Sequence, residues 1–545
     1  MKIRRRPALR WIAAAASLVL GPAAWAQDES AADIPPLFQW RTVANSADLV
    51  PGTTPAFNSF GAPSVNRAGT VVFRGRSRSG AGAGEPVRGV HARGMGVQPR
   101  ALWAVFDNAA TVPDPNNTLY NGRPSTFTEF PAFARIGIDS ATIVTRGQSR
   151  PVWTYVLADG TETRVGSSGI YGAAQDAAAT AMGQLGAVPG FEHFAVPGAS
   201  PGVRFDQFPG APTVAGQGTV VFKGNYTDGE PRTGVFYRQF LPQATSLATV
   251  LIANSQTLIP GQPEGGVRFG STAPPSAGPS DMVFLGVDNE ASPTLGGIYQ
   301  APLSPRARLT PLVTIGSQVP GESAGTVFTR IGEALFYDGR FVAFWGAWGT
   351  QARTITLTCP AEGQTAVVAY CLQQHPAGFT TTVPENQGFF VHDRATGRTE
   401  RAARTGAEFV DFLYWTYSGR PPGVGDQESE DFEPPRWRAS AFAAAQGRGA
   451  RAQIAFKARR PTVPAIDGIY LTVAGEQPAV VRTVVDTQTG GAQLDPLAPG
   501  GSRIVALGIE RDGLRNGWLT LNASMLDEAT GEAWAGVYLT RSRRR

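Results

Sequence analysis

Apolar and polar residues alternate along this chain in short runs, and one of them, GTVVFRG at 69–75, returns almost letter for letter as GTVVFKG at 218–224. Period-two alternation of β-branched and aromatic residues is what a strand buried on one or both faces requires. Five further runs share the pattern and end on a small or polar residue: ATIVTRG (141–147), DMVFLG (281–286), RFVAFWG (340–346), AQIAFKA (452–458) and GWLTLNA (517–523). Past a polar loop of variable length, each of the seven runs into a second strand: GVHAR from Gly89, PVWTYV from Pro151, GVFYR from Gly234, GIYQA from Gly297, GFFVH from Gly388, GIYLT from Gly468 and GVYLT from Gly536. A third apolar run usually follows, as in ATVLIA from Ala248, LTPLVT from Leu309 and AVVRTV from Ala479.

A turn signal recurs between the units at Pro51-Gly52, Pro113-Asp114, Pro189-Gly190, Pro260-Gly261, Pro320-Gly321, Pro422-Gly423 and Pro499-Gly500. Proline fixes φ at the first central turn position, and Gly or Asp tolerates the unusual conformation at the second. Strand and turn markers therefore agree on seven units with a period of about 75 residues. The fold class expected is all-β. Radial repetition around an axis removes long exposed sheet edges, so the architecture expected is a seven-bladed β-propeller spanning residues 36–540. The last unit lacks its final strand, while FQWRTVANSADLVPG near residue 40 reads like AVVRTVVDTQTGG of the sixth unit. The N-terminal segment is expected to close the ring, with Arg41-Thr42-Val43 standing where Arg482-Thr483-Val484 stands in the sixth blade. An open row of β-domains or a β-solenoid is the rival, and it would leave that segment without a partner. One helix is expected, over YGAAQDAAATAMGQLG (171–186), as an alanine-rich surface insertion. Two longer insertions, 347–386 and 407–437, interrupt the fifth and sixth units.

The pattern of a proline, then G-x-V-x-F-x-G, a loop and G-I/V-Y/F is carried by 63–75, 212–224 and, with Ser280 for the first Gly, 274–286. It resembles the tandem repeats of a group of uncharacterised secreted bacterial propeller-like proteins and, more distantly, the blades of TolB-type propellers. The resemblance implies the propeller fold over most of 36–540. The TolB-type Ser-Pro-Asp-Gly turn is absent, and the resemblance assigns no functional residue.

MKIRRRPALR is a basic head, WIAAAASLVL a short apolar run and AWA a small-residue cleavage signal, so residues 1–26 read as a signal peptide cut after Ala26. Arg5-Arg6 also gives a loose twin-arginine match, with an ordinary secretory signal favoured. The expected location is periplasmic or secreted, with no membrane span. The chain's formal charge of +5 loses Lys2, Arg4, Arg5, Arg6 and Arg10 with this leader, which removes its basicity. Four arginines of the remainder sit in the terminal RSRRR, so nothing suggests a nucleic-acid partner. The only cysteines, Cys359 and Cys371, lie in TLTCPAEGQTAVVAYCLQ, where two β-branched runs flank a turn; in an oxidising compartment they are expected to pair across a hairpin.

Signals for chemistry are sparse. G-x-S-x-G matches around Ser200 and Ser323 lack the strand-to-helix context of a nucleophile elbow. His91, His193, His375 and His392 form no metal-binding pattern, and His91 occupies the aromatic position of its repeat, where Phe236, Tyr299 and Tyr470 sit elsewhere. Acidic turns at Asp228 and Asp288 lack the ligand spacing of calcium loops. No phosphate-binding loop is present, and neither metal nor cofactor is expected. The most unusual segment is 407–437, which concentrates Phe409, Phe412, Tyr414, Trp415, Tyr417 and Trp437 beside Asp411, Asp426, Glu428, Glu430, Asp431 and Glu433. It is expected to join one blade to the next and to rise on the same face as the cysteine insertion, with Trp345 and Trp348 extending the platform. Aromatic faces near carboxylates suit sugar rings or peptide segments. They equally suit a lid whose rings pack on the propeller and whose acids face water. The reading favoured is a monomeric, non-enzymatic binding or scaffold propeller for a saccharide, peptide or protein ligand. The alternative is a propeller hydrolase acting on a glycoside or lactone through Asp411, Asp426, Glu428, Glu430 or Asp431.

Overall fold

A computed structural model describes residues 38–545, apart from 79–85, 118–123, 151–152, 157–161, 166–167, 175–176, 241–246, 361–364, 407, 420–434 and 543–545. The expected leader at 1–26 lies outside the described residues. The third blade shows the repeat most plainly. Its first strand is broken by a kink into Phe205–Gln207 and Thr213–Ala215, and Thr219–Asp228, Glu230–Gln239 and Val250–Asn254 follow in antiparallel order. GTVVF is thus the second strand of its blade, and GVFYR belongs to the third.

The recurrent letters of the repeat have a packing cause. Phe205, Phe222 and Phe236 come one from each of the first three strands and meet edge to face or stacked, with centroids 5.0–5.8 Å apart. Two glycines make room for them. A Cβ on Gly224 would lie 2.5 Å from the Phe205 ring, and one on Gly234 would lie 2.8 Å from that of Phe236. The same box recurs as Phe57, Phe73 and His91, as Phe269, Phe284 and Tyr299, as Phe328, Phe344 and Phe390, and as Phe409, Phe456 and Tyr470. Each fully buried ring contributes roughly 2–3 kcal/mol of transfer free energy, enough to set which face of each strand turns inward.

Seven such sheets close into a ring. Short inner segments, Ser64–Val65, Arg135–Ile136, Thr213–Ala215, Ser276–Ala277, Phe336–Tyr337, Ala443–Arg448 and Leu514–Arg515, each meet the next, and the last meets the first. The seventh blade takes its outer strand from the chain's beginning, where Trp40–Asn45 pairs antiparallel with Glu532–Arg541. Thr42 faces Tyr538 as Thr483 faces Tyr470 in the sixth blade, the register expected from the sequence. Asp495, fully buried, clasps the joint by accepting hydrogen bonds from Asn45 Nδ2 (2.9 Å), Trp534 Nε1 (3.0 Å) and Tyr538 Oη (3.0 Å).

Charges fill the axis. Glu510, Arg511 and Asp512 occupy the kink of the seventh blade's first strand and are all at most 4% exposed. Arg135 from the second blade pairs with Glu510, Arg515 donates to Asp512 at 2.6 Å, and Arg511 reaches across to the carbonyl of Pro275 in the fourth blade. Removing one partner of such a buried pair is costly even where the pair itself adds little net stability.

Two expectations are corrected. Residues 171–186 are not a surface helix: Ser168–Ala174 and Ala177–Gly183 are the third and fourth strands of the second blade. Tyr171 fills the aromatic slot there, meeting Phe127 at 4.8 Å. PVWTYV is accordingly no blade strand, because Trp153–Val156 pairs with Glu162–Val165 in a separate hairpin inserted before it.

Candidate functional site

Two departures from the repeat rise on one face. In the fifth blade the second and third strands lengthen to Phe341–Leu357 and Phe379–Asp393, of 17 and 15 residues, against 8 for Thr70–Ser77 in the first. Apart from buried Val383, their outer halves are exposed or half-buried, as in a hairpin standing clear of the ring. Helix Thr365–Gln374 follows the first of these strands, and Cys359 and Cys371 are bonded, with Cα atoms 5.8 Å apart. The pairing is as expected, but Cys371 lies on this helix and not on a second β-run.

The second departure is the aromatic segment, and its placement corrects the expectation of an inter-blade loop. Val410 N donates to the carbonyl of Arg459, and Arg459 N donates to that of Asp411, so 409–411 already forms the outer half of the sixth blade's first strand. The strand resumes at Ala443–Arg448. Between them, inside the kink that other blades make in three to five residues, stands a hairpin of Tyr414–Ser418 and Arg436–Ser440. The insertion therefore springs from the axial side of the blade.

On one side this hairpin packs against the extension of the fifth blade. Trp437 stacks on Phe379 (6.2 Å, 16° between planes) and meets Tyr417 edge to face at 5.2 Å, and His375 approaches Tyr417 at 5.7 Å. On the other side Arg436 and Arg438 face Glu333, in the kink of the fifth blade's first strand, together with Lys223 and Glu290. Glu333 reaches solvent but sits in a recess. That partial desolvation, ahead of its charged neighbours, holds its carboxyl above the usual range.

Below the hairpin, Lys457 Nζ lies 3.7 Å from the centre of the Tyr414 ring. Arg459 donates to both carboxylate oxygens of Asp467 at 2.6 and 3.0 Å. Burial lowers the Lys457 ammonium to about 8, outweighing the opposing pull of Asp467, and burial raises the Tyr414 phenol well above its usual value. Among the described residues Tyr414 Oη, Trp415 Nε1, Ser418 Oγ and Trp437 Nε1 of the hairpin are shielded from solvent and have no hydrogen-bond partner.

The expected site residues divide accordingly. Tyr414, Trp415, Tyr417 and Trp437 share the hairpin. Asp411 is buried and engaged, accepting from Arg353 at 2.6 Å and from Leu413 N at 2.9 Å. Trp345 and Trp348 are 7% and 3% exposed; the first donates to Gln387 and the second packs on Phe390, so neither extends the platform. Asp426, Glu428, Glu430 and Asp431 lie outside the described residues. Sequence reasoning missed His375, Phe379, Glu333 and Lys457. The first two fall within the cysteine insertion, whereas nothing local marks the others.

The opposite face carries a polar cavity of about 540 Å3, bordered by Arg67, Asp338, Gln446, Arg448, Gln453 and Arg515. Among the described residues no three His, Cys, Asp or Glu side chains are grouped to hold a metal ion, and no helix is long and apolar enough to cross a membrane.

No family model matches this chain, and no curated protein matches it. Similar solved structures include the β-propeller domain of the trilobed protease from Pyrococcus furiosus, with a TM-score of 0.35 and 8% identity, covering 90% of this chain and 98% of that one. The WD40 domain of SCAP from fission yeast gives a TM-score of 0.26 and 7% identity, covering 93% and 98%.

Proposed function

We propose that the protein is a secreted or periplasmic binding propeller whose ligand, a saccharide or an extended peptide, lies against the inserted aromatic hairpin between the fifth and sixth blades. The observation carrying this reading is the concentration of Tyr414 Oη, Trp415 Nε1, Ser418 Oγ and Trp437 Nε1, shielded and without a hydrogen-bond partner among the described residues, on one aromatic hairpin. Each such group costs about 1–3 kcal/mol while unsatisfied. Sugar hydroxyls and ring oxygens, or peptide carbonyls, would supply acceptors while their apolar faces stack on the rings. The disulfide between Cys359 and Cys371 supports an oxidising compartment and braces the neighbouring hairpin.

Tryptophan-fluorescence titration against cell-wall glycans and peptide libraries tests this reading. A ligand of either class should bind, and Trp415→Ala should weaken it at least tenfold, about 1.4 kcal/mol. Unchanged affinity in Trp415→Ala removes the hairpin from the site. For the hydrolytic alternative, Asp411 is already tied to Arg353. Turnover of a glycoside or lactone, lost on changing single acids of 426–431, would favour it instead.

A further inference from the structure

The chain holds 48 basic residues, and only Lys2, Lys223 and Lys457 among them are lysine. Lys457 occupies a register position with a structural use elsewhere in the ring. In three blades the residue just before the small residue that ends the second-strand motif carries a side chain that bridges to the next blade: Arg74 donates to the carbonyl of Phe130, Arg146 to that of Phe208 at 2.9 Å, and Asn522 to that of Phe60 at 3.0 Å. Lys457 holds the equivalent place in the sixth blade, opposite Ile469 as Arg74 is opposite Val90. It makes no such bridge. Among the described residues its ammonium has neither a hydrogen bond nor an ion pair, and the nearest carboxylate on its strand pair, Asp467, is taken by Arg459. Instead it is half-buried beneath the Tyr414 ring of the inserted hairpin.

We propose that Lys457 is a reactive amine that captures an aldehyde carbonyl, such as that of the open-chain reducing end of a saccharide, as an imine. The nitrogen attacks the carbonyl carbon, a C–N bond forms, and the carbonyl oxygen departs as water carrying the two protons of the neutral amine. No oxidant or reductant is needed. The nature of the ligand rests on the binding function proposed above, whereas the reactivity of the amine does not.

The groups facing Lys457 are Arg459 on its own strand, Asp467 on the next, and Tyr414 from the insertion, with Asp411 of the blade's first strand behind it. The Tyr414 ring face favours the ammonium, as any cation over an aromatic ring is favoured. Burial opposes it more strongly, and with the group lowered to about 8 roughly a quarter of it is neutral at pH 7.5, against about a thousandth of an ordinary lysine.

The test uses the full chain with glycolaldehyde and cyanoborohydride, followed by peptide mapping. Lys457 should be alkylated at least tenfold faster in the folded protein than in the same protein unfolded in urea, with a rate rising to half its maximum near pH 8. Lys223→Arg should leave that adduct intact, and Lys457→Arg should abolish it. Slower labelling of Lys457 in the folded state, or a rate that climbs only above pH 10, overturns the proposal. Glycolaldehyde is too small to require the aromatic hairpin, so the two readings fail separately. Saccharide binding without the adduct refutes Lys457 alone, and an adduct that persists while no saccharide or peptide binds refutes only the binding function.

Discussion

His91 stands where the other blades place Tyr171, Phe236, Tyr299, Phe390, Tyr470 or Tyr538, and neither of its ring nitrogens has a hydrogen-bond partner among the described residues. It is fully buried, 5.0 Å from Phe57 and 5.8 Å from Phe73, the same spacings that Phe236 keeps to Phe205 and Phe222. A phenylalanine therefore has room between Gly75 and Gly89. His91→Phe should stabilise the protein at neutral pH by about 1–3 kcal/mol, the cost of the unsatisfied nitrogens. A larger effect appears in acid. Burial lowers the imidazole from 6.5 to about 4, so between those values the unfolded chain binds a proton that the folded chain does not, and stability falls as pH falls. Above pH 6.5 the group is neutral in both states and adds no slope. The full loss, present below pH 4, is about 3 kcal/mol. Urea-unfolding midpoints for both proteins at pH 7.5, 5.5 and 4.5 measure it, and the gap between them should widen steadily as the solution is acidified. Parallel midpoints, or a less stable His91→Phe at pH 7.5, would refute the reasoning.

Removing residues 38–48 deletes the closing strand, exposes the edge of Glu532–Arg541 and loses the burial of Phe38, Val43 and Ala44, together about 5 kcal/mol before ladder hydrogen bonds. The melting temperature should fall sharply, and an unchanged value would contradict closure. At the axis, Arg135→Leu removes the closer cation of buried Glu510, leaving only Arg511 at 4.0 Å among the described residues, and should cost about 3–5 kcal/mol, most of it recovered when Glu510→Leu is added; additive single effects in this double-mutant cycle would count against the pairing. Reducing Cys359–Cys371, which closes a short loop, should remove about 3 kcal/mol of local stability. Proteolysis within 357–378 should then quicken while the ring's melting temperature stays nearly constant.

The blade repeat was legible because its letters are packing constraints: the paired small residues, glycines except for Ala458 in the sixth blade, and the aromatic of the third strand recur wherever the three-ring box is built. The second blade was misread for two physical reasons. Its inserted hairpin presents PVWTYV where the template calls for a third strand, and its real outer strands are rich in alanine, whose helix preference is weak enough for sheet pairing to override. GIY at 169–171 was the signal that could have corrected this. Glu510, Arg511 and Asp512 look like a solvated turn in the sequence, and only closure of the ring places them on its axis. The aromatic segment was recognised by composition but misplaced. The half-strand that precedes it is only three residues long, 409–411, too short to show periodicity. Lys457 was invisible for the opposite reason, since it sits inside a well-formed repeat and becomes unusual only when the inserted hairpin is seen to lay the Tyr414 ring over it.

The claim that function lies where the fifth and sixth blades depart from the repeat is tested most directly by hydrogen–deuterium exchange of the whole protein with and without a ligand drawn from the glycan and peptide screens. Protection is expected in the inserted hairpin, at 414–418 and 436–440, and in the adjoining 375–386 of the fifth blade, with the rest of the ring unchanged. Protection confined to the opposite face, around Arg67, Arg448 and Arg515, would contradict it.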